Sequence, residues 1–246
     1  MIEIFPLIGL PEIVPGDDLG QILVDGVTRQ DVCVRAGDVF VVAQKIVSKA
    51  EGRLVRLDSI TPSERACLWA AAFGKDSRVI ELVLREAKRI VRMAQGVIVA
   101  ETRHGYVCAN AGVDVSNAPG GAAILLPEDC DRSAEILRAQ ITAAFSVDVA
   151  VIIADTFGRP WREGLVNVAL GVAGIAPLID YRGTKDSGGK PLQATIIAVA
   201  DELASAAELV MGKSDNVPAA IVRGVKYSGT GSGRDLIRPS ERDLFR

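Results

Sequence analysis

The stretch VIIADTFGRPWREG, residues 151–164, limits what the chain can fold into more than any other segment. Val151 to Ala154 form an unbroken apolar run, the pattern of a buried strand. Asp155, Thr156, Gly158, Arg159, Trp161 and Arg162 follow closely, so the strand leaves its core into carboxylate, hydroxyl and guanidinium groups. Two other stretches share this pattern. VAQKIVSKAEG offers Lys45, Ser48 and Lys49 after an apolar run, and VCANAGVDVSNA offers Asn110, Asp114, Ser116 and Asn117. If the three ends converge, carboxylates can bridge a divalent cation to phosphate oxygens while lysines neutralise the remaining charge.

The rest of the chain supplies alternating elements around these ends. A strand is expected at Val39 to Ala43. In TPSERACLWAAAFG, Thr61 reads as an N-cap, Pro62 lies in the first turn and Glu64 comes three residues on, a capping box that opens a short helix. Val79, Leu82, Val83, Ile90 and Val91 recur at helical spacing, predicting a second helix from about Asp76 to Ala94, with Lys88 on its exposed face and Gly96 at its end. Two short strands, Val97 to Glu101 and Tyr106 to Ala109, flank a turn at His104-Gly105. Further helices are expected over about Ser133 to Phe145 and Gly164 to Gly174, and GTKDSGGKPL reads as a mobile loop. ATIIAVADELASAAELVMGK reads as a strand and an alanine-rich helix, VPAAIVRGV as a strand, and the tail YSGTGSGRDLIRPSERD as flexible first and ordered later. Helices and strands mix without strict βαβ alternation, which favours an α+β fold over a Rossmann fold.

Composition narrows the chemistry. A chain of 246 residues with 49% hydrophobic content and mean hydropathy +0.27 is too apolar for disorder. Its apolar runs are too short to cross a bilayer and its first residues lack a signal-peptide pattern, so the expected location is cytoplasmic, with no membrane partner. A net charge of −3 gives no footprint for nucleic acid and favours a small anionic ligand. Four scattered cysteines, Cys33, Cys67, Cys108 and Cys130, form no C-x-x-C and read as small core residues. The single histidine, His104, excludes a multi-histidine metal site and argues against a Ser-His-Asp triad. The remaining tools are carboxylates, hydroxyls, amides, Lys and Arg, a set suited to Mg²⁺ or Mn²⁺ and phosphate.

Two nucleotide signatures are absent. Gly212-Lys213-Ser214 would need a glycine at 207 to be a P-loop, and Ala207 stands there; Gly229, Gly231 and Gly233 would need a different third glycine, where Arg234 stands. Taken singly, each site residue also has a plainer reading. Asp155 reads equally as a turn or helix cap, Asp114 as an Asx turn, and Lys45 and Lys49 as solvated charges. Trp161 reads as a packing residue and His104 as a polar surface residue.

The colinear blocks GLPEIVPGDDL, VAQKIVSKAEGR, NAGVDVSN, ADTFGRPWREG and MGKSDNVPAAIVRG resemble the coenzyme F420-0:γ-glutamyl ligase family over nearly the whole chain. The resemblance implies a GTP- and metal-dependent ligase that adds L-glutamate to coenzyme F420-0 and extends it by γ-linkage, acting as a homodimer. It also implies one ligase domain over residues 1–246 standing alone, its mixed and antiparallel sheets and flanking helices arranged in two intertwined subdomains unlike a P-loop fold. Two Mg²⁺ or Mn²⁺ ions per site are implied, with Asp114 and Asp155 as ligands, Thr156 as a ligand of the second ion and Met211 contributing backbone oxygen. The implied nucleotide contacts are Gly9, Leu10, Pro11 and Glu12 in an N-terminal turn, Gln44, Lys45 and Lys49, Asn117, and a loop of Leu209, Val210, Met211, Gly212, Lys213, Ser214, Asp215 and Asn216. Lys49 matches a phosphate-binding lysine, and Gln44-Lys45 departs from the small hydroxyl residues of some members. Arg159 and Arg162 are candidates for holding the acidic substrate or glutamate by bidentate contacts. Two other functions stay open: the same chemistry on another acidic acceptor, and a non-catalytic module that binds GTP and metal.

Overall fold

A computed structural model describes residues 1–116 and 118–243. In chain order the elements are β1 (Glu3–Pro6), α1 (Leu19–Arg29), β2 (Val39–Ala43), α2 (Gln44–Ala50), β3 (Leu54–Arg56), α3 (Glu64–Phe73), α4 (Ser77–Glu86), β4 (Ala87–Ala94) and β5 (Val97–Thr102). They continue as β6 (Val107–Ala109), β7 (Ala122–Ile124), α5 (Cys130–Phe145), β8 (Ala150–Arg159), β9 (Arg162–Ala173), β10 (Ile179–Asp180), β11 (Ile196–Ile197), α6 (Val199–Met211) and β12 (Ala219–Arg223).

The main sheet has the order β1-β12-β2-β8-β9, in which only the β2–β8 pair is parallel. Its central strands are apolar throughout because both faces are covered. Phe40, Val42, Val151, Ile153 and Ile221 point to one face, against Leu23 and Val27 of α1 and Leu137 and Ile141 of α5. Val39, Val41, Ile152, Ala154 and Val222 alternate to the other, against Leu203, Ala204 and Ala207 of α6. A second core lies apart, where α3 and α4 pack Ala66, Ala70, Ile80 and Val83 against Ile98, Ala100, Val113 and Leu125. The fold is α+β with mixed and antiparallel sheets, as expected, and it lacks the serial parallel pairs of a Rossmann sheet. No helix among the described residues is long and apolar enough to cross a membrane.

Three expected elements differ. The helix expected to continue to Ala94 ends at Glu86, and residues 87–94 pair antiparallel with β5 instead. The cause is local: Gln95 and Gly96 both take positive φ, 51° and 76°, the requirement of a two-residue hairpin turn, so Gly96 closes a hairpin. Lys88 therefore lies on β4, 3.0 Å from the buried Glu101. The helix expected over Gly164 to Gly174 is strand β9, paired along β8. Its apolar run is buried between the α5 and α6 layers, a pattern that periodicity alone cannot separate from a buried helix. The α3 cap is Ser63, whose Oγ accepts from the Ala66 N–H at 3.3 Å, rather than Thr61; Ser63 also donates from N and Oγ to Glu81 of α4, at 3.0 and 2.6 Å, so one serine joins both helices.

Side-chain placement brings further changes. Cys108 and Cys130 are buried as expected, but Cys33 and Cys67 are exposed. Trp161 packs into no core; it is 83% exposed at the tip of the β8–β9 hairpin, with Leu165 exposed beside it. His104 is half-buried, stacked on Tyr106 with ring centroids 5.6 Å apart and its Nε2 3.0 Å from the Glu128 carbonyl.

Candidate active site

The parallel β2–β8 pair runs out at one edge of the sheet, with Ala43 opposite Ala154, so Gln44 and Asp155 emerge side by side. The antiparallel β12 begins at the same edge, where the Ala43 N–H donates to Pro218 O at 2.8 Å and the Leu7 N–H to Ala219 O at 2.9 Å. Four segments are thus delivered to one place by the ladder itself. Between them lies a cavity of about 850 Å³.

Each wall has an identifiable anchor. The N-terminal turn is held by the end of α1: Gln30 accepts from the Ile8 N–H at 2.6 Å and donates to Pro6 O at 2.8 Å, and Arg29 donates to Gly9 O at 3.2 Å. Asp114 is tied to β7 by a reciprocal backbone pair with Ile124, at 3.0 and 2.7 Å. It follows three left-handed residues, Asn110, Ala111 and Gly112, and at Gly112 a Cβ would also lie 2.6 Å from Leu126. Only glycine suits that position, while Ala111 stores backbone strain beside the cavity. At the far wall α6 ends on Gly212, with φ 60° and ψ −168°, a conformation essentially restricted to glycine.

The ionic groups form two linked sets. Lys45 Nζ lies 2.7 Å from Asp114 Oδ2 and 2.8 Å from Ser116 Oγ, and Lys49, 6% exposed, reaches Glu12 Oε1 at 2.5 Å. Lys213 donates to Thr156 Oγ1 and, at 3.3 Å, to Asn167 Oδ1. Burial raises the Asp114 pKa, but donors from Lys45 and from Ser116 outweigh it and hold the carboxyl below its usual range. At Asp155 burial dominates and pushes the pKa up despite the Thr156 backbone N–H and the Lys45 charge, and the Asp114 charge adds to the rise. Lys45 thus neutralises Asp114, and the buried Asp155 carries the cost of the second charge.

The oxygen donors suit a divalent cation. Asp114, Asp155 and the Thr156 hydroxyl are hard ligands, and Met211 belongs to the last turn of α6, whose carbonyls lack intrahelical donors. Among the described residues no three His, Cys, Asp or Glu side chains gather to hold a metal, so neutral oxygens would complete the shell.

Most expected site residues meet here. Leu10, Pro11, Glu12, Gln44, Lys45, Lys49, Asp114, Asp155 and Thr156 line the cavity, as do Met211, Gly212, Lys213 and Asn216. Gly9 shapes the turn just outside it with φ 68°. Leu209 is exposed, Val210 packs against the core, and Ser214 and Asp215 contact each other beyond the lining. Arg159 and Arg162 lie in the β8–β9 hairpin away from the lining, Arg159 donating to Glu163 O at 3.1 Å. Asn117 falls outside the described residues. Asp155 is neither turn nor cap, because β8 continues to Arg159. Asp114 makes the Asx turn, accepting from the Ser116 N–H at 2.7 Å, and faces the cavity as well. Lys49 is buried rather than solvated. The sequence reading passed over Asn167, a cavity residue hidden inside the segment taken for a helix.

The chain is 50% identical to "Coenzyme F420:L-glutamate ligase" of Methanopyrus kandleri over 94% of its own length and 92% of the relative. It is 46% identical to the protein of that name from Methanothermobacter thermautotrophicus, covering 97% and 96%, and 41% identical to that of Archaeoglobus fulgidus, covering 100% and 96%. The model of the F420-0:Gamma-glutamyl ligase family matches residues 7–224, and the chain belongs to that family.

Proposed function

We propose that the protein is a ligase that joins the amine of L-glutamate to the carboxylate of coenzyme F420-0, using GTP and a divalent cation, and then extends the product by γ-linkage. The observation that carries this reading is the gathering of Asp114, Asp155, Thr156, Lys45, Lys49 and Lys213 in one cavity of a chain from this family.

Amide formation in water needs an activated carboxylate. In the proposed sequence the F420-0 carboxylate oxygen attacks the γ-phosphorus of GTP and GDP leaves. The glutamate amine then attacks the acyl carbon, inorganic phosphate departs with the bonding pair, and the amine loses a proton. Phosphoryl transfer of this kind depends mainly on positioning and charge neutralisation. Lys45, Lys49 and Lys213 would neutralise the phosphates, while Asp114, Asp155, Thr156 and the Met211 carbonyl would hold Mg²⁺ or Mn²⁺, two ions in the full reading. When bound, the metal would supply further charge neutralisation at the phosphate oxygens. A homodimer is part of the proposal, supported by the exposed Trp161 and Leu165 on one hairpin, as is a cytoplasmic location.

Mass spectrometry of F420-0 incubated with GTP, Mn²⁺, glutamate and the protein tests the reading. The expected result is F420-0 carrying added glutamyl groups, with GDP and phosphate released. GDP release with other acidic acceptors but unmodified F420-0 would move the activity to a different substrate. GTP binding with no GDP under any combination would leave a binding module.

A further inference from the structure

We propose that Asn167 is a positioning residue that locks the Thr156 hydroxyl as a lone-pair donor toward the cavity. The inference rests on the cation reading of the site given above.

The residues face each other across the β8–β9 ladder, where Thr156 and Asn167 are register partners. Asn167 is 4% exposed, and its backbone carbonyl accepts from Ser205 Oγ of α6 at 2.8 Å, so its side chain starts from a fixed base. An ammonium can only donate, so the amide atom that faces Lys213 at 3.3 Å must be the carbonyl oxygen. That same oxygen lies 2.7 Å from Thr156 Oγ1, and an oxygen acceptor there obliges the hydroxyl to donate its proton to Asn167. The Lys213 ammonium also donates to Thr156 Oγ1, which confirms that this oxygen is used as an acceptor.

The consequence is directional. A threonine hydroxyl free to rotate can point its proton into a site and repel a cation. With its proton committed to a buried amide and one lone pair to Lys213, Thr156 keeps its second lone pair for the cavity, next to Asp155. Asn167 itself acts through Thr156.

The experiment is titration of Mn²⁺ into the protein without nucleotide, with free ion counted by electron paramagnetic resonance. The variants are Asn167→Ala, Asn167→Leu, which fills similar volume without an acceptor, Thr156→Val, and Thr156→Val combined with Asn167→Leu. Thermal melts identify which variants are folded. Loss of a partner that orients a ligand typically costs tenfold to a hundredfold in metal affinity. A loss of roughly tenfold or more is expected for each folded Asn167 variant, a loss for Thr156→Val, and no further loss in the double variant. Wild-type affinity in a folded Asn167 variant overturns the role of Asn167 and leaves the cation site standing. Additional loss in the double variant overturns it too, since Asn167 would then act by a route other than Thr156. A wild-type protein that takes up no Mn²⁺ overturns this inference together with the cation reading.

Discussion

Lys45 Nζ and Asp114 Oδ2 stand 2.7 Å apart and join the first turn of α2 to the residue that follows Val113 of the second core. The contact sets a cation against an anion on the wall of the cavity, which Lys49 and Asp155 also line.

Asp155→Asn should leave the fold as stable as the wild type or more so, while ligase turnover collapses. The raised pKa means that the folded state disfavours the ionised carboxyl, so at neutral pH removing its charge removes a cost to folding. Melting in the presence of a chelator, beside turnover with GTP, F420-0 and Mn²⁺, measures both halves. A variant that melts early would place Asp155 among the groups that hold the fold together.

Lys49→Met keeps the buried stem and deletes the ammonium, leaving behind only an exposed Glu12. GTP affinity should fall by roughly tenfold to a hundredfold, the worth of one charge-assisted contact. Lys49→Arg should restore only part of it, because a planar fork does not fit where a compact ammonium sat. Calorimetric titration of GTP with Mn²⁺ decides it; unchanged affinity in Lys49→Met would leave Lys49 with Glu12 as its sole role.

Glu81 is held at a pKa of about 2, below the usual 4.5, chiefly by hydrogen bonds from Ser63 and then from Arg85. A depressed carboxyl stabilises the fold above its unfolded pKa, and the benefit fades as pH falls toward the folded value. The stability gap between wild type and Glu81→Gln should therefore be full above pH 4.5 and shrink progressively down to about pH 2. Urea unfolding across that range reads it, and a gap that widens on acidification would contradict the Ser63 link.

Thiol titration of the native protein at mildly alkaline pH should count two rapid groups, Cys33 and Cys67, which are exposed. Burial pushes the Cys108 and Cys130 thiols up to about 12, so both should react only after unfolding. Four rapid groups in folded protein would show that the second core and the α5 start open readily.

The parts legible in the sequence share one trait: their pattern has a single physical meaning. Val39 to Ala43 and the start of β8 are wholly apolar and short, and short buried strands look like that. The α6 segment is rich in alanine and long enough to exclude a strand. The residues of β9 were ambiguous because they are covered on both faces, and residues 87–94 because Ile90 and Val91 continue a helical spacing while the Gln95-Gly96 turn decides for strand. That Lys45, Lys49, Asp114, Asp155 and Thr156 would meet was legible from their chemical type at the ends of apolar runs, and all five line the cavity. Asn167 was not, since its role depends on the cross-strand register with Thr156, and a segment taken for a helix has no such register.

The strand order β1-β12-β2-β8-β9 also dictates a timetable. In the main sheet β1 pairs with β12, near the other end of the described chain, and β2 pairs in parallel with β8 only after all of α2 through α5 has been made. During synthesis the first strands therefore wait, exposed and partnerless, while most of the polypeptide emerges, and their pairing demands closure of long loops, which slows folding. The turn carrying Glu12 can be held early by Arg29 and Gln30 at the end of α1, but the Leu7–Ala219 contact that joins it to the sheet forms only when β12 docks, so this wall of the cavity would be among the last parts of the newborn protein to be locked in place.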